Sequence, residues 1–76
     1  MKDLVASLAR GLVREPGRVR VHTRTEGGRV VIELEVAPGD RGRVIGREGR
    51  TAHALRTVLD ALARRDGRSC VLEILD

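Results

Sequence analysis

RVIGREGRT, residues Arg43–Thr51, places two glycines at a charged tip in a chain of only 76 residues. Val44 and Ile45 close one apolar run, Gly46 and Gly49 bracket Arg47 and Glu48, and Arg50-Thr51 opens a new periodic segment. A glycine ending a short helix lets the chain reverse through a left-handed conformation, and a second allows another backbone to come close. The spacing predicts two helices meeting at a four-residue, glycine-bounded turn.

The flanking residues fit that reading. After the turn, Ala52, Leu55, Val58, Leu59 and Leu62 recur at helical spacing, with Arg64 and Arg65 in the last turn and Asp66-Gly67 as the stop. "SCVLEIL" then alternates as a strand, with Cys70, Leu72 and Ile74 on one face. Before the turn, "GDRGRVIG" reads as a short helix that Asp40 is placed to cap and Gly46 to end.

Further back, Val30, Ile32, Leu34 and Val36 alternate with Val31, Glu33 and Glu35, while Val19, Val21 and Thr23 alternate with Arg18, Arg20, His22 and Arg24. Gly27-Gly28 joins these two runs as a two-residue hairpin turn, which fixes their register. Val21 then faces Leu34 and Val19 faces Val36. On the other face Arg20 meets Glu35 and His22 meets Glu33, so that face is close to neutral. At the amino terminus, Leu4, Val5, Leu8 and Leu12 mark an amphipathic helix that stops at Pro16-Gly17.

The order is helix, strand, strand, helix, helix, strand. The last strand returns through two helices, so a parallel crossover onto the central strand closes the sheet. The expectation is an α+β fold of two layers, a three-stranded mixed sheet with three helices on one face. A chain this short buries about 60% of its unfolded surface and supports one core, so residues 1–76 form a single domain.

Composition narrows function. There is no Phe, Tyr or Trp, which removes the aromatic platforms on which many RNA-binding sheets and barrels stack bases. A formal net charge of +4 makes polyanions the natural partners. One cysteine forms no internal disulfide, and "MKDLVASLARGLV" is broken by Asp3, Ser7 and Arg10, unlike a secretory signal or membrane span. A cytoplasmic protein with no membrane association is expected.

The candidate chemistry lies at the tip. A helix beginning near Arg50 directs its first amides and positive dipole end toward the turn, an arrangement that holds phosphates. Arg43, Arg47 and Arg50 add positive charge, and Glu48 subtracts only part of it. A nucleotide-hydrolysing P-loop does not fit: its opening glycine would fall at Val44 and its lysine at Arg50. His22 reads as a surface partner of Glu33, and Cys70 as core filler. The two histidines and the cysteine have no metal-ligand spacing, and Glu33, Glu35 and Glu73 read as charge balance among arginines rather than catalytic carboxylates. No enzyme, cofactor or small-molecule substrate is expected.

"VIGREGRT" resembles the V-I-G-x-x-G signature of KH domains, whose GXXG loop clamps the backbone of about four nucleotides. The element order resembles the type II KH arrangement, and the "MKDLV" start and "VLEILD" end resemble small free-standing bacterial members. The resemblance implies that Gly46, Arg47, Glu48 and Gly49 form the loop, that Val44 and Ile45 lead into a groove for single-stranded RNA, and that Arg50 and Thr51 open the next helix. Family members often carry lysine, arginine or glutamine where this chain has Glu48. With Arg43 and His53, one turn into that helix, these residues make up the expected RNA-binding set, gripping the backbone and reading bases weakly. The resemblance also implies a homodimer, or a heterodimer with a larger KH-containing protein of the KhpB/Jag type.

Overall fold

A computed structural model describes residues 1–76. Its elements are α1 (Lys2–Leu12), β1 (Arg20–Glu26), β2 (Arg29–Glu35), α2 (Arg41–Ile45), α3 (Arg50–Arg65) and β3 (Ser69–Ile74), with short 3-10 turns at Pro16–Arg18, Pro38–Asp40 and Arg47–Gly49. The sheet order is β1-β2-β3; β1 and β2 pair antiparallel, and β3 lies parallel to β2. Val21 faces Leu34, Arg20 faces Glu35 and His22 faces Glu33, the register that the two-glycine turn dictates. Strand pairing begins at Arg20 rather than Arg18, because Pro16–Arg18 coil into the 3-10 turn before the chain extends.

All three helices pack on one face of the sheet. Val5, Ala6 and Ala9 of α1, Val44 of α2 and Leu59 of α3 form one cluster with Val19, Val21, Ile32, Leu34, Val36 and Leu72. Ile32 and Leu34 on the central strand are fully buried, each contributing about 1.5–3 kcal/mol through apolar area removed from water. Thr23, in line with Val21, is exposed, since the helical layer stops short of the hairpin end. Val31, on the opposite face, is nevertheless 1% exposed, lying between its neighbours Arg24 and Val71. No helix is long and apolar enough to cross a membrane.

Three sequence expectations change here. The face-to-face charges do not pair as opposed residues: Glu33 binds Arg24 at 2.9 Å, and Arg24 also reaches Glu26 and Glu73. A twisted sheet brings diagonal neighbours within reach of a long guanidinium. Arg20 instead donates to the carbonyls of Gly17 and Val19, at 2.9 Å each. On α1 the buried face is Val5, Ala6 and Ala9, leaving Leu4, Leu8 and Leu12 well exposed.

Asp40 stands at the amino end of α2 but makes no cap hydrogen bond. Its carboxylate accepts from the backbone N–H groups of Arg14 (3.2 Å) and Glu15 (3.1 Å), and Arg43 Nε lies 3.4 Å away. At 3% exposure it is the one buried charged residue, and it ties the segment after α1 to the helix that carries the tip. Asp40→Ala removes the acceptor of two part-buried amides and the tie between these segments, and is expected to cost about 1–2 kcal/mol, read as a lower urea midpoint.

Candidate nucleic-acid interface

The tip is built by one steric conflict. Gly46 adopts φ 80°, ψ 170°, a region populated essentially by glycine alone, and its N–H closes α2 on the Gly42 carbonyl at 2.9 Å. A Cβ placed there would collide with Thr51, lying 2.8 Å from both its Cβ and its backbone nitrogen and closer still to its hydroxyl oxygen. Gly46 is therefore the glycine that the fold itself requires at the tip. Gly49, at φ 75° and ψ 12°, is left-handed but faces open space. Its N–H donates to the Gly46 carbonyl at 3.1 Å, closing the turn.

Between the glycines, Arg47 and Glu48 face solvent, and Glu48 is the one non-glycine residue with positive φ, at 57°. The Arg50 N–H donates back to the Arg47 carbonyl, and no side chain caps the first turn of α3, so the positive end of the helix dipole faces the tip without a protein anion on it. The three arginines differ in their partners. Arg43 is held by Asp40, and Arg50 lies 3.6 Å from Glu48, whereas Arg47 makes no ion pair. An exposed pair such as Arg50–Glu48 is weak and yields readily to a phosphate.

Val44 has no exposed surface and belongs to the core cluster, so the expectation that it lines a groove is corrected: its burial anchors α2 beneath the tip. Ile45, Gly46, Gly49 and Thr51 are half-buried at the base of the turn, and Arg43, Arg47, Glu48, Arg50 and His53 are exposed. Arg41 is committed elsewhere, donating to the Leu75 carbonyl at 3.0 Å and pairing with Asp76 at 2.9 Å.

A cleft of about 540 Å³ lies between α3 and the edge strand β3, and His53 lines it. Arg56, Thr57, Asp60 and Arg64 continue the same wall, while Cys70, Val71 and Leu72 form the other. The sequence reading took only His53 from this face. The signal for the rest was the spacing 53, 56, 57, 60 and 64, which stays on one side of a helix, away from the core-facing Ala52, Leu59 and Ala63. Cys70 is half-buried at the cleft, and burial, followed by the Asp60 charge, raises its thiol pKa above the ordinary value. That disfavours thiolate chemistry.

An α-β-β-α-α-β chain with an antiparallel hairpin, a parallel return strand and a glycine-bounded turn between its second and third helices has the type II KH fold. The family is narrower. A family model described as "KhpA/KhpB, KH domain" matches residues 2–74, and the chain belongs to that family. Among similar proteins named "RNA-binding protein KhpA", that of Aquifex aeolicus is 51% identical, with 100% of this chain and 96% of that protein covered. The one from Halalkalibacterium halodurans is 47% identical with both chains fully covered, and that of Treponema pallidum is 44% identical, covering 99% of this chain and 94% of the other. No solved structure matches at a significant level.

Proposed function

We propose that this protein is a non-catalytic binder of single-stranded RNA, gripping phosphates at Gly46–Gly49 and laying bases along the cleft between α3 and β3. The observation that carries the reading is the contact of Gly46 with Thr51, which fixes an exposed turn beside an uncapped helix end. The names of the relatives agree with it. Arg47, free of protein partners, supplies the first phosphate contact. Arg50 contributes by exchanging its weak contact with Glu48 for phosphate, and Arg43, held in place by Asp40, adds positive charge, with Thr51 and His53 beside them. Glu48 opposes the polyanion and moderates affinity.

Backbone clamping makes binding depend on salt, because each neutralised phosphate releases a counterion. With three or four phosphates engaged, the logarithm of affinity should fall by about 2–3 per decade of salt, at roughly 0.7 per phosphate on a single strand. Fluorescence anisotropy with a short labelled RNA measures this; affinity that ignores salt contradicts the mechanism.

A second reading, assembly with another copy or with a larger KhpB/Jag-type KH protein, is favoured by one surface. Leu8 and Leu12 of α1 and Leu55 and Val58 of α3 border an apolar groove of about 500 Å³, and Leu8, Leu12 and Val58 are exposed. Light scattering on the RNase-treated protein tests self-assembly. A mass of twice the 8.3 kDa chain supports it, and 8.3 kDa argues against it.

A further inference from the structure

Within the cleft, one arginine is arranged unlike the others. β3 is an edge strand, paired only with β2, so part of its backbone faces the cleft instead of another strand. Arg56 reaches across from α3, and its Nε–H donates to the Leu72 carbonyl at 3.3 Å. Its two terminal nitrogens take part in no hydrogen bond or ion pair, whereas Arg64 on the same wall is held by Asp60 at 2.8 Å. The guanidinium is thus anchored at one nitrogen while its outer N–H fork stays free.

We propose that Arg56 is a specificity-determining residue that favours RNA carrying guanine or cytosine at the base seated in this cleft. The inference rests on the RNA-binding reading and deepens it. A planar guanidinium fork donates two parallel hydrogen bonds and matches two adjacent acceptors. Guanine offers such a pair at O6 and N7, and cytosine at O2 and N3. Adenine and uracil offer no such pair: adenine N7 lies beside the N6 amino donor and its N1 and N3 diverge around C2–H, while uracil O2 and O4 flank the N3–H donor. A phosphate would also fit a fork, but the lining is mixed: Asp60 on the same wall disfavours an anion, while Ala61, Cys70, Val71 and Leu72 supply apolar surface that suits the face of a base.

The test uses the full chain and short fluorescein-labelled RNAs: an all-adenosine strand, and the same strand with one central guanosine, cytidine, uridine or 7-deazaguanosine. Wild-type protein is expected to bind the guanosine or cytidine strand about tenfold more tightly than the adenosine and uridine strands. Loss of the guanosine advantage on 7-deazaguanosine assigns the reading to the O6/N7 edge; a preference confined to cytidine assigns it to O2/N3. Arg56→Lys keeps the charge but not the fork, so it should bring all strands within about twofold while leaving the salt slope unchanged. Equal wild-type affinities, or a preference that survives Arg56→Lys, overturn the proposal. If the adenosine strand still binds and loses affinity on tip substitution, only the Arg56 assignment fails; if no strand binds wild-type protein, the RNA reading fails with it.

Discussion

Gly46→Ala is expected to lower the unfolding free energy by about 3 kcal/mol, from a backbone region that disfavours any side chain plus the overlap with Thr51. Trimming Thr51 does not rescue it, because one colliding atom is the Thr51 backbone nitrogen at 2.8 Å. The internal control is Gly49→Ala. Gly49 also has positive φ but has nothing within 4 Å of a Cβ, so its cost is the left-handed penalty alone, about 1 kcal/mol. Urea denaturation of the two variants measures the difference directly. Equal losses would mean that the Gly46–Thr51 contact is not what shapes the tip. Even where Gly46→Ala still folds, the turn must open to admit the methyl group, and RNA affinity should fall with it.

The second large effect separates binding from folding. Changing Arg47 and Glu48 together to aspartate reverses the one unpaired charge of the tip while leaving the local acidic residue acidic. Both positions are exposed, and aspartate tolerates the left-handed backbone at position 48 better than glutamate. Stability should stay within about 0.5 kcal/mol of wild type, while RNA affinity drops by at least about tenfold and the salt slope shrinks by about one contact. Circular dichroism with anisotropy gives both readouts. Unchanged affinity with an intact fold would move the phosphate site away from the loop.

Much of this architecture was legible because short-range rules fixed it. The hairpin register followed from a two-residue turn flanked by strict alternation, and the parallel return of β3 from the two helices between the strands. The glycine tip was visible for the same reason. Which glycine is sterically forced was not, since that depends on where Thr51 sits in three dimensions. Asp40 looked like a helix cap because a cap is a local rule, yet its partners Arg14 and Glu15 lie 26 and 25 residues away. The exposure of Leu4, Leu8 and Leu12 likewise escaped the helical pattern, which gives the width of an apolar stripe but not the reach of the sheet beneath it. Arg56 was hidden as one arginine among many; its anchor is a carbonyl on a strand 16 residues further along.

The central claim is that phosphates dock on the turn between α2 and α3. Titrating isotopically labelled protein with single-stranded RNA and following each backbone amide by nuclear magnetic resonance tests it most directly. The account predicts the largest shifts at Gly46–Gly49 and the first turn of α3, smaller ones along His53, Arg56 and β3, and little change at Arg24 and Glu33 on the far side of the sheet. Shifts confined to the far face, or to the α1 side of α3, with the Gly46–Gly49 amides unmoved, would contradict it.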